Sequence, residues 1–297
     1  MFRILVTGLL PHDSGKTWAS AIFLHALRSN NINAAYVKPI GATELWRDYK
    51  YYMESLKRGV IVSGDALKIA SIAKDLGNII EIVNPAGFYT IPLDPQNYRW
   101  KVRDYLDDSQ IVSNVIFIGR LTNCKYSKPE SVHILVKDNL LNTTPVLRQF
   151  IRQTLEHIRP QPVVISRGEL VPILVDEAPV AADTCIDFLE KKYEALVIES
   201  YNNVSTPTMG SLNATIVAVV APGRINLYRG EDYRRAINFF SPWRKTGSLL
   251  VGDIVKLIKP IHSIETLPVK DPLSLDESHK ELIDKVSSIL VRHAILT

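Results

Sequence analysis

Short runs of β-branched and aliphatic residues alternate along the chain with longer stretches whose apolar positions recur at helical spacing. Runs that are apolar nearly throughout fall at Phe2–Thr7, Ala34–Val37, Val163–Ser166, Ala195–Glu199, Thr215–Val220 and Gly252–Ile258. Continuous apolar runs of this length fit parallel strands buried on both faces. Helical spacing predicts helices at Lys16–Arg28, Gly64–Ala73, Val146–His157, Ala181–Lys192, Asp232–Phe239 and Glu277–His293. The last follows Asp276 as N-cap and puts Leu282, Ile283, Val286, Ile289 and Leu290 on one face. The alternation predicts an α/β fold: a doubly wound, mostly parallel sheet with helices on both faces.

Residues 111–140 break this rhythm. Val115–Ile118 and Val132–Val136 are strand-like runs joined by the polar stretch Thr122–Ser131. They predict a hairpin, inserted in the sheet or added at its edge. The Pro-containing segment 260–273 reads as a surface loop. There is no internal repeat and no low-complexity tract.

At 297 residues, the chain fits one large α/β domain or two small ones. A 46 % apolar content supports a substantial core, and 22 % charged residues argue against wholesale disorder. The net charge of +4 is too small to argue for nucleic acid. Cys124 and Cys185 provide no disulfide framework and are expected to be buried small hydrophobes in a reducing compartment. The chain enters a strand at once, so no signal peptide is expected, and no apolar run approaches the ~20 residues of a membrane helix. A soluble cytoplasmic protein is expected.

The chemistry concentrates behind the first strand. Ser14-Gly15-Lys16-Thr17 opens a helix there. Such a turn aims backbone N–H groups at one point, and the helix dipole favours an anion beside them. Lys16 can neutralise β/γ-phosphates and Thr17 can hold Mg²⁺. Asp13, Ser14, Gly15, Lys16, Thr17 and Trp18 are the nucleotide-binding candidates. A strict G-x-x-x-x-G-K-T pattern requires glycine at position 10, where the chain has Leu10. Asp13 alternatively caps the helix, and His12 reads as a loop residue.

Four further segments follow in order: Tyr36-Val37-Lys38-Pro39-Ile40-Gly41, Gly64-Asp65-Ala66-Leu67, Asn84-Pro85-Ala86-Gly87-Phe88 and Leu196-Val197-Ile198-Glu199. With the lysine loop they resemble the dethiobiotin synthetase-like family of P-loop NTPases, well over residues 1–100 and more loosely at 196–199 and 219–226. The resemblance implies one P-loop domain over residues 1–297, with a divergent or inserted region at about 105–190. It implies ATP and Mg²⁺ as cofactors and a homodimer. Lys38 then joins Lys16 as a catalytic residue, and Thr17, Asp65 and Glu199 hold the metal. Asn226 binds the nucleoside. Three of these residues have plainer readings: Lys38 as a surface lysine before a proline turn, Asp65 as a helix N-cap, Asn226 as part of a strand–helix turn.

The chain departs from the family on the substrate side. Ser200-Tyr201-Asn202-Asn203 replaces a Gly-Ala-Gly-Gly run, and Asp94-Pro95-Gln96-Asn97 replaces a Pro-His pair. The expected activity is therefore Mg-dependent nucleotide hydrolysis coupled to carboxylation, ligation or phosphoryl transfer on a different small polar acceptor. The rival is a nucleotide-dependent switch or assembly factor that uses residues 111–190 as its partner surface. A polynucleotide kinase fits the loop but not Lys38 or Asn84-Pro85. Arg224, Arg229, Arg234, Arg235, Arg244 and Lys245, with Tyr228, Tyr233 and Trp243, form a basic and aromatic group that is read as a solvated face. Neither nucleic acid nor membrane is an expected partner.

Overall fold

The computed structural model describes residues 1–126, 128–240, 249–268, 275 and 279–294. Eleven strands are found among them: β1 (Phe2–Gly8), β2 (Ala34–Val37), β3 (Ile40–Glu44), β4 (Ala86–Thr90), β5 (Ile116–Asn123), β6 (Glu130–Val136), β7 (Val163–Ile165), β8 (Ala195–Glu199), β9 (Ile216–Ala221), β10 (Arg224–Arg229) and β11 (His262–Glu265). They form two mixed sheets, ordered β11-β10-β9-β1-β8-β2 and β3-β4-β5-β6-β7.

In the first sheet β9, β1, β8 and β2 run parallel, as their apolar sequences require. Leu5 sits between Val217 and Ile198 in register, and all three are buried. The edge departs from the expected doubly wound arrangement. Pro222-Gly223, with Gly223 at φ 78°, turns the chain back at once, so β10 lies antiparallel to β9 and β11 antiparallel to β10. A tight turn can only join antiparallel neighbours, whereas a parallel one needs a crossover.

Pro39 separates the sheets. It offers no N–H to a ladder, and the chain leaves β2 for the first sheet's neighbour within three residues. In the second sheet β3 pairs parallel with β4, β4 to β6 are antiparallel, and β7 is parallel to β6. The expected hairpin is therefore present as β5–β6, and residues 105–190 supply three of the five strands. Helices α1 (Lys16–Ser29), α2 (Tyr49–Arg58) and α3 (Gly64–Ile72) follow β1, β3 and the 59–63 turn. The helix Ala178–Glu190 packs against strands of both sheets, and the helix Lys280–Ala294 packs on α1.

Three expectations need correction. Gly252–Ile258 is not a strand: Val251–Ile254 is one helical turn whose ends, Val251 and Ile254, are buried at helical spacing. The 260–273 segment is not all loop, because it contains β11, paired with β10. Cys124 and Cys185 are buried, but as a disulfide with Cα atoms 4.8 Å apart, within bridging range, and not as free thiols. The proposed N-cap Asp276, and Trp243, Arg244 and Lys245 of the basic group, lie outside the described residues. Among those residues no helix is long and apolar enough to cross a membrane.

Candidate functional site

Open α/β sheets leave room for ligands beyond the carboxyl ends of their parallel strands. At the ends of β1, β8 and β2, beside the start of α1, lies a polar cleft of about 380 Å³. Positive φ at Asp13 (54°) and Gly15 (87°) turns the chain from β1 into α1. Gly15 occupies the N-cap position, and no side chain caps α1. Its first N–H groups are therefore left to the cleft at the positive end of the helix dipole.

Ser14 ties down the loop at Leu10, the position where the strict pattern has glycine. Its buried hydroxyl accepts from Leu10 N–H at 3.1 Å and donates to the Leu10 carbonyl at 2.9 Å, closing residues 10–14 into a loop. Lys16 folds back over the end of β1. A Cβ on Gly8 would lie 2.7 Å from Ser14 Oγ and 2.9 Å from Lys16 Nζ, so a side chain there would push Ser14 or the Lys16 ammonium aside. Burial, and then the charge of Lys38, lower the pKa of Lys16.

Glu199 ends β8 and is fully buried. Its Oε1 accepts from Thr17 Oγ1 at 3.0 Å and from Lys38 Nζ at 2.8 Å, and its Oε2 accepts from the Tyr36 hydroxyl at 2.9 Å. Lys38 Nζ also donates to the Ser200 carbonyl at 3.0 Å and pairs with Asp65 Oδ2 at 2.9 Å. Burial opposes the charge on Lys38, but Asp65 and then Glu199 overcome it and raise its pKa above the ordinary lysine range. Burial would likewise raise the pKa of Asp65, yet Lys38 and then Lys68 hold it below the ordinary carboxylate range. Tyr36 keeps its proton, because burial and then Glu199 push its pKa well up.

The cleft gathers Asp13, Ser14, Gly15, Lys16, Thr17, Trp18, Lys38, Asp65 and Glu199, nine of the ten candidate residues. Lys38 is only 2 % exposed, so it is no surface lysine. Ser63 is the N-cap of α3, and Asp65 in its first turn faces Lys38. Asp13 lines the cleft without capping α1. Trp18 is buried, its ring edge-on to His279 at 5.5 Å. Asn226 is the exception. It lies in β10, with β9 between it and β1, aligned with Val219 and Ser263, and does not line the cleft. The Pro222-Gly223 turn makes a strand where a strand–helix turn was expected.

Tyr201 and Asn202 line the cleft. Sequence reasoning missed Tyr36, Arg47, Asp48, Tyr51 and Lys68. Tyr36 had a legible signal: side chains two apart on an extended chain share a face, and Lys38 is two residues on. Arg47 and Asp48 precede α2 and Tyr51 lies in its first turn; Tyr49, Tyr52, Met53 and Leu56 recur at helical spacing there, a signal the sequence carried.

Among the described residues no group of three or more His, Cys, Asp or Glu side chains is arranged to hold a metal. Asp65 and Glu199 nonetheless converge on one cation, the Lys38 ammonium, and the Thr17 hydroxyl shares a Glu199 oxygen. Two carboxylates and a hydroxyl fit Mg²⁺, which fills its other positions with water and phosphate. Comparison with protein-family models, with curated proteins and with solved structures gives no match.

Proposed function

We propose that this protein binds and hydrolyses a nucleoside triphosphate with Mg²⁺ and couples hydrolysis to carboxylation, ligation or phosphoryl transfer on a small polar acceptor. One observation carries the reading: Lys16, folded over Gly8 at the uncapped start of α1, shares a cleft with the Lys38–Glu199–Asp65 cluster. The preference for ATP follows the dethiobiotin synthetase-like resemblance, and so does a homodimer.

Thr17, Glu199 and Asp65 would hold Mg²⁺, which supplies positive charge against the phosphate oxygens. The α1 N–H groups and Lys16 orient and neutralise the β- and γ-phosphates. Lys38 stabilises charge on the transferring phosphoryl group, and Tyr36 fixes the Glu199 carboxylate through Oε2. Tyr201 and Asn202 form the acceptor wall. Hydrolysis is to be measured with a panel of carboxylates, amines and alcohols. Stimulation by one of them supports acceptor chemistry, and no stimulation by any argues against it.

A nucleotide-dependent switch is the second reading, favoured by an apolar groove beside the cleft. Leu45, Trp46, Tyr49, Val146, Leu147 and Phe150 line it, and Trp46 is 69 % exposed. The groove joins α2 to the 105–190 region, and Arg47 and Asp48 between Trp46 and Tyr49 reach the nucleotide cleft. Stimulation of hydrolysis by a protein partner alone would favour this reading.

A further inference from the structure

The second sheet lines the cleft through Ala42 and Thr43 of β3, and behind that wall lies one fully buried amide, Asn84, which precedes β4. Its Oδ1 accepts from Ser63 N–H at 2.8 Å. Its Nδ2 donates to the Lys38 carbonyl at 2.9 Å and to the Ala86 carbonyl at 3.2 Å. Lys38 N–H in turn donates to the Val83 carbonyl at 2.7 Å. One amide thus ties the main chain of Lys38 to the main chain of Ser63, and Ser63 is the N-cap from which Asp65 projects two residues later.

The Ser63 side of this bridge is itself anchored to the second sheet. Gly64 N–H donates to Thr43 Oγ1 at 2.6 Å. Arg120, fully buried, donates through Nε to the Ile61 carbonyl at 2.7 Å and through its terminal nitrogens to the Asn84 carbonyl and Thr122. His133, aligned with Arg120 across β5–β6, accepts Ile61 N–H at 3.2 Å. Residues 61–64 are therefore fixed at nearly every main-chain group.

We infer that Asn84 is a positioning residue: it sets the distance between Asp65 and Lys38, and so aims the Lys38 ammonium. The inference rests on the reading of the cleft as a nucleotide site only for its kinetic consequence. The geometry it concerns, the Lys38–Asp65 contact, exists without nucleotide.

The test has two readouts. The first is acetylation of Lys38 by a limiting amine reagent, followed by mass spectrometry in the whole protein without nucleotide. In Asn84→Ala, Lys38 labelling rises about tenfold or more, as expected when a locked, charged amine gains freedom and exposure. In Tyr233→Phe, which removes a buried hydrogen bond from the Tyr233 hydroxyl to the Ser205 carbonyl, neither of them in the cleft lining, it does not rise. The second is nucleotide hydrolysis, where misplacing a catalytic group by about 1 Å costs about 100-fold in rate. That loss falls on kcat, with KM unchanged.

A double variant separates positioning from general support. If Asn84 acts through Asp65, then Asn84→Ala adds nothing to Asp65→Asn in either readout. Independent, multiplying effects would overturn the inference, and so would Lys38 labelling that stays at the wild-type level in Asn84→Ala. Should Asn84→Ala not fold, Asn84→Asp keeps the Ser63 acceptor and loses both donors, and the same labelling comparison decides. If the wild type neither binds nor hydrolyses nucleotide, the functional reading fails, and the labelling readout still decides the inference.

Discussion

Lys38 Nζ lies 2.8 Å from Glu199 Oε1, with the two side chains 2 % and 0 % exposed. The same ammonium meets Asp65 at 2.9 Å. One ammonium thus pairs with both acids and occupies the place between them.

Removing one partner of a buried ion pair leaves an uncompensated charge and costs about 3–5 kcal/mol. Lys38→Met is therefore expected to lower the unfolding free energy in urea by about that amount. Mn²⁺ without nucleotide should raise the melting temperature of this variant and leave the wild type unmoved. Equal Mn²⁺ shifts in the two proteins would show that Lys38 does not compete for these carboxylates.

Tyr36→Phe removes the donor to Glu199 Oε2 and changes little else. A buried carboxylate oxygen left without its hydrogen bond costs about 1.5–3 kcal/mol. Denaturant unfolding should show a loss of that size, together with slower hydrolysis. A variant as stable as the wild type would mean that Glu199 finds another partner.

His133 and Asp65 set the acid side of the stability profile. His133 is driven down to about 4, first by burial and then by Arg120, from an ordinary value of 6.5. The unfolded chain therefore binds a proton that the folded chain refuses, and stability falls as the pH drops from about 6.5 to 4. Over that window the loss from this group is about 3 kcal/mol. Asp65, also depressed, loses its contribution only below its ordinary value of 3.8. Unfolding measured at pH 7, 5.5 and 4.5 should show the decline in the wild type and a flatter profile in His133→Gln. Parallel profiles would remove His133 as the cause.

The parallel strands of the first sheet and the Lys16 side of the cleft were legible because they are written in contiguous patterns. β1, β2 and β8 are apolar nearly throughout, and each ends at or near a chemical residue: Lys16 and Thr17, Lys38, and Glu199. In the second sheet β5, β6 and β7 were legible as apolar runs, but β3 and β4 were not. β3 and β4 are five residues each, interrupted by Gly41 and Gly87, and their partners lie far away in sequence. The Asn84–Ser63–Lys38 bridge is likewise non-local, with sequence separations of 21 and 46. The disulfide escaped for the same reason, since only the fold brings Cys124, after β5, against the helix Ala178–Glu190.

That disulfide closes a separation of 61 residues, for which the chain-entropy account gives about 4 kcal/mol of stabilisation. Urea unfolding with and without a reductant should differ by that order, and Cys185→Ala should not respond to the reductant. Two free thiols titrated in the denatured, non-reduced protein would contradict the pairing.

The central claim is tested most directly by calorimetric titration of ATP, with Mg²⁺ present, into the wild type and Lys16→Ala. GTP in the same cell gives the base preference. Saturable one-site binding by the wild type, weakened at least tenfold in Lys16→Ala at unchanged melting temperature, is the predicted result. Absence of binding by either nucleotide to the folded wild type, or equal binding by the two proteins, would contradict it.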